Sequence, residues 1–445
     1  MMKYSFVALL LLCVTSSLPA AEQWRGFLGA DSSKITANSI PTNWSPQDNL
    51  TWKSEIPGYG QSSPVIWGNQ VYVSSVEGPN KDKLHVICYN LKTGKQLWIH
   101  TQPSTYAEKN TVYISRAAPT PVLDEKGIYA YFESGDVVSI SHDGKFQWTA
   151  SLTDRYGAPK NKFGLSASPV QTKDAVIVMI DDEGPSYLTA LNKTDGKELW
   201  KADRKSRVSW SSPTLVPVGE TSQIVCSSAG SLEGYDPATG KLLWSFDKVG
   251  GNNKTSPLST GNGRFLVGAS PGRSGENEQL AKKSNGLFQV GREGDTWKPE
   301  FVWTNSSPVP SWATPIAHQG YAYWVNRAGV VYCLDLKTGK PAYTNRIQES
   351  CWATPVGLGD HIYFFGKNGN TTVLKAGAKF EVVAENRLWT EEAPPVNNIP
   401  TAKETGQRLR SAAMFSRPTL YGVALVNDYL LARTGSQLFC IQKKK

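Results

Sequence analysis

The chain has 445 residues, 40% of them hydrophobic, with fifteen tryptophans and a net charge of +9. That length suits one large all-β domain or two to three ordinary ones, and the apolar fraction excludes a disordered chain. Three of the positive charges form the terminal run Lys443-Lys444-Lys445 and the others are scattered, which argues against a nucleic-acid-binding arm.

Residues 1–21 read as an export signal. Lys3 supplies a positive start, residues 6–14 are apolar but too few to span a membrane, and Pro19-Ala20-Ala21 offers small residues for cleavage. Leu12 precedes Cys13, where lipoprotein processing wants a small residue, so no lipid anchor is expected there. No later segment has the ~20 apolar residues of a spanning helix. Residues 22–445 are therefore expected to form a soluble, exported protein, periplasmic or extracellular.

The next recognisable element is a lone strand, Asn49-Leu50-Thr51-Trp52-Lys53. After it a unit recurs at a spacing of about 40 to 60 residues, within the range of propeller blades. Each unit opens with a small or polar residue and a proline: Pro64, Pro121, Pro169, Pro213, Pro257, Pro315, Pro355 and Pro418. Proline suits the first residue of a strand, where no ladder hydrogen bond is lost. Short apolar strands such as Val71-Tyr72-Val73 and Ile362-Tyr363-Phe364 follow. A turn such as Thr93-Gly94-Lys95, Thr239-Gly240-Lys241 or Thr338-Gly339-Lys340 then leads into a strand with an aromatic four positions after the glycine. Asn90, Asp236 and Asp335 are placed to bond the turn backbone, and the glycine can take the positive φ.

The closing aromatics are Trp98, Trp148, Trp200, Trp244, Trp303, Tyr343 and Trp389, one fewer than the opening prolines. Pro418 opens a unit with no closing strand after it, and Trp52 lies in a closing strand with no opening before it. The two ends complete each other. The prediction is an all-β, eight-bladed propeller of four-stranded antiparallel blades, closed by the N-terminal strand pairing into the last blade.

Cys88, Cys226, Cys333, Cys351 and Cys440 follow the signal; no two are adjacent. Cys88, Cys333 and Cys440 share one repeat position, where other units have Ala190 or Gly234. That pattern points to packing, not to a disulfide framework or a metal site. Asp181-Asp182-Glu183, the densest acidic cluster, is expected in an exposed turn. Zinc spacing and Gly-x-Ser-x-Gly are both absent.

The units resemble the PQQ-type propeller repeat, most closely over residues 286–389, where Gly329-Val330-Val331-Tyr332-Cys333-Leu334-Asp335-Leu336-Lys337-Thr338-Gly339-Lys340 is near the consensus. Gln23-Trp24-Arg25-Gly26 and Thr371-Thr372-Val373-Leu374-Lys375-Ala376-Gly377 look like a secreted bacterial subgroup of PQQ-binding-like proteins. The same repeat occurs in quinoprotein alcohol dehydrogenases and in BamB-like propellers of outer-membrane-protein assembly. The resemblance implies the eight-bladed fold but not the quinone. The dehydrogenases hold quinone against an adjacent-Cys disulfide with a calcium or lanthanide ion, and this chain has no adjacent Cys pair.

In such a meander, the loops leading into the first strands and those joining second to third strands lie at one end, with the Gly-Lys turns at the other. Trp210, Trp312 and Trp352 each stand three residues before an opening proline, and Phe415 holds the equivalent place before Pro418. Arg116, Arg207 and Lys254, with Arg410 and Arg417, come from leading loops; Arg327 and Arg433, with Arg273 and Lys367, come from second-to-third loops. Aromatic faces beside cations suit an anionic, planar or sugar-like ligand or a peptide, and the same tryptophans also suit packing between blades. The long leading loops 101–117, 153–165 and 390–414 fall on this end, the last with a helical turn expected at Thr401-Ala402-Lys403-Glu404-Thr405; residues 270–297, Gly-rich and charged, decorate the fifth unit.

The expected function is a non-catalytic, monomeric binding or scaffold platform for protein or another polymer, with no cofactor and no nucleic acid. The alternatives are a PQQ- and calcium-dependent oxidoreductase with a divergent site, and a carbohydrate-binding propeller using Trp210, Trp312 and Trp352.

Overall fold

In the computed structural model, described for residues 23–29, 39–108, 111–272, 275, 277–397 and 417–444, the described chain forms eight antiparallel sheets. Residues 1–22, with the expected export signal, lie outside the described residues. Blade 1 runs from its inner strand Val65–Trp67 through Gln70–Glu77 and Lys83–Asn90 to the outer strand Gln96–Pro103. Blades 2 to 7 repeat this order along the chain. Blade 8 takes Gly422–Val426, Tyr429–Arg433 and Gln437–Ile441 from the C-terminus and its outer strand, Leu50–Glu55, from the N-terminal side. Trp52 stands opposite Cys440 in that pair, so the ring is closed as the repeat count requires.

The opening prolines sit one residue before the inner strand in blades 1 to 7, so their missing N–H costs the ladder nothing. Pro418 stands four residues ahead of the Gly422–Val426 strand.

The Gly-Lys turns follow their predicted chemistry. Asn90 Oδ1 accepts from the N–H groups of Lys92 and Thr93, and Asp236 Oδ1 from those of Ala238 and Thr239. Gly94 takes φ +68, and a Cβ there would stand 2.5 Å from the Trp52 ring of blade 8. This close approach is the structural meaning of the motif. Four more closing rings lie under a glycine of the next blade, Trp98 under Gly144, Trp148 under Gly196, Trp200 under Gly240 and Trp303 under Gly339, whereas Trp244 packs on Gly234 and donates to Gln223 Oε1 of its own blade. The indole N–H groups then donate to carbonyls of the same turns, from Trp52 to Leu91, Trp98 to His142, Trp148 to Lys193, Trp200 to Pro237 and Trp303 to Leu336. A buried ring and a satisfied N–H together lock blade to blade.

The small residues of the repeat face these rings. Cys88 pairs with Trp98, Ala190 with Trp200, Gly234 with Trp244 and Cys333 with Tyr343. The five cysteines among the described residues are free and buried, in keeping with a packing role. Trp389 departs from the pattern: it lies beyond the outer strand of blade 7, Val382–Arg387, and Ala384 occupies the position opposite Val373. Without a Gly-Lys turn at the usual distance, blade 7 uses Phe380 against Tyr343 of blade 6, ring centroids 5.5 Å apart. Trp389 packs on Phe439 of blade 8.

The described part of residues 270–297 carries regular structure. It holds a short helix, Glu278–Ala281, the third strand of blade 5, Gly286–Glu293, and the start of its partner, Thr296–Thr304. At the other extreme of the chain, Gln23–Trp24 pairs antiparallel with the inner strand of blade 1 and so lies inside the central channel.

Candidate functional site

The leading loops and second-to-third loops do share one face. Arg327 N donates to Ser311 Oγ, Lys367 N to Ser350 O, and Cys351 bridges Gly366, each joining a leading loop to a second-to-third loop. We call this the mouth face and the Gly-Lys side the turn face. A cavity of about 410 Å³ opens at the mouth, within the ordinary range for ligand sites.

The deep wall of this cup is built from the residues that precede the opening prolines. Ser63, Thr120, Ser168, Ser212, Ser256, Thr314 and Thr354 all line it. Most hold the blades together as well. Ser63 N donates to Thr120 Oγ1, Thr120 N to Ser168 Oγ, Ser168 N to Ser212 Oγ, Ser212 N to Ser256 Oγ, and Ser256 N to Thr314 Oγ1. Blades 2 to 6 thus each satisfy a buried N–H of the blade before, worth about 1 kcal/mol per link. The repeated small or polar residue before proline was the sequence signal for this belt; its direction around the channel was not readable.

Above the belt the wall is aromatic. Trp210, Trp312 and Trp352 come together here, with Phe163, Tyr113 and Tyr421. Trp312 and Trp352 stack, centroids 5.0 Å apart and planes at 14°, and Trp352 meets Tyr421 edge-on at 5.7 Å. Trp210 meets Phe163 edge-on at 6.0 Å and donates from Nε1 to Gly164 O. Lys254 is the only charged side chain among the described residues lining the cup.

The arginines expected beside these rings are placed differently. Arg433 is fully buried and crosses the ring closure, donating to the O and Oγ of Ser62 and to Ser74 O at 2.6 Å. Burial pushes its guanidinium down to about 9. It is a clamp between blades 8 and 1. Arg116 is also buried, its guanidinium 4.2 Å over the Tyr59 ring, with Nε and Nη1 lacking partners. Arg207 is held by Glu233 and Ser231, and Arg327 is exposed but outside the cup lining. Phe415 and the turn expected at 401–405 lie outside the described residues.

Asp181-Asp182-Glu183 is not an exposed turn at its first two positions: Asp181 and Asp182 are buried. Asp181 receives Arg204 Nε at 2.7 Å, and the same guanidinium reaches Glu233 at 2.6 Å in blade 4. Burial pushes the Glu233 carboxyl up, but Arg204 beside it, with bonds from Arg207 and Tyr235, brings it down to about 2. Asp182 accepts from the N–H groups of Lys160 and Gly184. Arg204 was the hidden partner, and nothing in the local sequence marks it.

The donors present do not fit a calcium-bound quinone. Calcium takes six to eight oxygens, usually with carboxylates among them, and the cup offers hydroxyls, one amide and one lysine. Among the described residues no group of three or more His, Cys, Asp or Glu could hold a metal. No helix among them is long and apolar enough to cross a membrane.

The family model described as outer membrane protein assembly factor BamB matches residues 42–178, 158–273 and 295–423. The chain belongs to that family. BamB of Shewanella oneidensis is 26% identical over 225 residues, covering 48% of this chain and 53% of that protein. BamB of Burkholderia pseudomallei is 24% identical over 209 residues, covering 46% and 49%. The chain thus matches about half the length of these relatives. Among solved structures, BamB from Moraxella catarrhalis superposes with a TM-score of 0.57 at 13% identity, covering 89% of this chain and 97% of that one. A europium-containing methanol dehydrogenase gives 0.58 at 11% identity, covering 93% and 90%. At those identities the likeness is one of fold.

Proposed function

We propose that the protein is an exported, non-catalytic propeller that binds a protein partner at its mouth face and serves outer-membrane protein assembly, as its relatives are named for. The observation that carries this reading is the composition of the cup. Its walls are aromatic, its depth is lined by hydroxyls, and among the described residues its lining has no carboxylate or histidine to act as a base. Such a surface can anchor an apolar side chain and bond a backbone without transforming either. Trp210, Trp312 and Trp352 are the proposed contact residues, with Lys254 at the same cup; Arg116, Arg207, Arg327 and Arg433 are left out of the proposed contact set, and Phe415 lies outside the described residues.

The test is replacement of the three tryptophans by alanine in the exporting organism. Outer-membrane protein levels are expected to fall in a deletion strain and equally in the triple variant, while the triple variant accumulates folded in the envelope. Full outer-membrane protein levels in the triple variant would remove the mouth face from the reading. Purified protein supplied with quinone and calcium is expected to give no bound chromophore and no dye-linked alcohol oxidation; saturable binding with turnover would replace the platform by an oxidoreductase.

A further inference from the structure

The channel beneath the cup is not open. Gln23 pairs with Trp67 at the turn-face end of blade 1, and Trp24 with Ile66, one step deeper. Arg25 then crosses to blade 2, where Leu123 N donates to its carbonyl at 3.0 Å and its Nε donates to Leu123 O at 3.3 Å. Residues Phe27–Gly29 make a tight turn in which Gly29 N bonds Gly26 O. Leu28 holds φ +62 and packs against the core shared by blades 5, 6 and 7. A left-handed leucine persists only where its surroundings over-determine it. The segment is therefore fixed on both sides of the channel.

Its consequence shows in the two cavities. A second one, about 260 Å³, is bounded by Trp24, Leu28, His318 and Gly359 toward the turn face. Phe27, Ser63 and Thr354 line both this cavity and the mouth cup, and Phe27 is the one aromatic residue among them. One aromatic ring is therefore shared by the two spaces, with two small side chains beside it.

We propose that Gln23–Gly29 is a built-in stopper, and that Phe27, as the floor of the cup, is the residue that decides what the mouth accepts. The cup then takes one planar aromatic or apolar side chain of a partner protein, inserted from the mouth face to the depth of Phe27. It does not thread a polypeptide through the ring. The proposal rests on the mouth face being the binding face, and adds to it the depth and chemistry of the anchor. Ring-on-ring contact with Phe27 below and Trp352 beside supplies the selectivity for a flat group.

The test uses the mature chain and the planar dye 1-anilinonaphthalene-8-sulfonate, so no partner protein is needed and loss of the partner reading would leave its outcome unchanged. Wild type is expected to bind one dye in the cup, and Trp352→Ala to lose it. Phe27→Trp, which raises the floor, should weaken the dye by about tenfold, and Phe27→Ala, which joins the two cavities, should admit a second dye. All five native thiols of residues 23–445 are buried, so Phe27→Cys adds the one reactive thiol. Methyl methanethiosulfonate should modify it, and saturating dye should protect it. Thermal melts of each variant establish that it is folded. Dye binding unchanged in both Phe27→Trp and Phe27→Ala, or a Phe27→Cys thiol modified equally with and without dye, would overturn the proposal.

Discussion

Two sets of tryptophans sit at opposite ends of the same blades. On the turn face, Trp52, Trp98, Trp148, Trp200 and Trp303 each lie against the next blade's turn and give their N–H to one of its carbonyls. On the mouth face, Trp312 and Trp352 stack on one another, and among the described residues neither indole N–H meets an acceptor. Trp210 is intermediate, its N–H bonded to Gly164 O but its ring half open. Residue type alone does not separate these roles. What separates them is whether a neighbouring blade completes the ring's contacts. The completed set holds the scaffold, and the incomplete set is available to a ligand.

The sharpest way to break the contrast is to truncate one member of the completed set. Trp200→Ala should cost about 3–5 kcal/mol of stability, the usual range for a buried aromatic, read by urea denaturation, with dye binding at the cup intact in the fraction still folded. A comparable loss from Trp352→Ala would erase the distinction.

Removing Arg204 should come close to that effect. Arg204→Ala leaves Asp181 without its ion-pair partner and Glu233 with Arg207 alone, and breaking one side of a buried pair costs about 3–5 kcal/mol. The same network gives a pH signature. Glu233, held at about 2 in the folded chain, titrates near 4.3 when unfolded. Its contribution is complete above that value and is lost as pH falls toward 2. Glu233→Gln should therefore be less stable at neutral pH and should flatten the acid limb of a melting-temperature profile; an unchanged acid limb would place the acid sensitivity elsewhere.

Cutting one link of the hydroxyl belt is a smaller perturbation. Thr120→Val strands the buried Ser63 N–H and should cost about 1–3 kcal/mol, whereas the same change at exposed Thr239 should fall within about 0.5 kcal/mol. Equal costs at the two sites would show that the belt is not stabilising.

The thiols give the finest readout. Burial pushes Cys88, Cys226 and Cys333 up to about 12 and the other two further in the same direction. Native protein at pH 8 should leave all five unmodified by Ellman's reagent, and urea should release five. Early reaction of Cys351 alone would mark local opening at the mouth, where it bridges Gly366.

The ring was legible because its signals are local. A proline, a turn acid, a glycine and an aromatic at fixed spacing each act within a few residues, and their count exposed Trp52 as the closing member. The same logic misled at Trp389, because blade 7 carries no Gly-Lys turn at that distance and fills the place with Ala384 and Phe380. Trp210, Trp312 and Trp352 were readable as a group from their shared distance to proline. The roles of Arg433, Arg116 and Arg207 were not, since a loop position says where a backbone lies but not which way a long side chain turns. Arg433 turned inward because Ser62 and Ser74 offer it acceptors 371 and 359 residues away.

The sequence by itself determined the number of blades, the strand that closes them and the face on which to look, because these depend on periodicity and turn chemistry. The tertiary structure alone decided which tryptophans are spent on the scaffold, that Asp181 is buried against Arg204, and that Phe27 floors the cup. Each of those depends on groups that meet across blades, and contacts of that range leave no local mark in the chain.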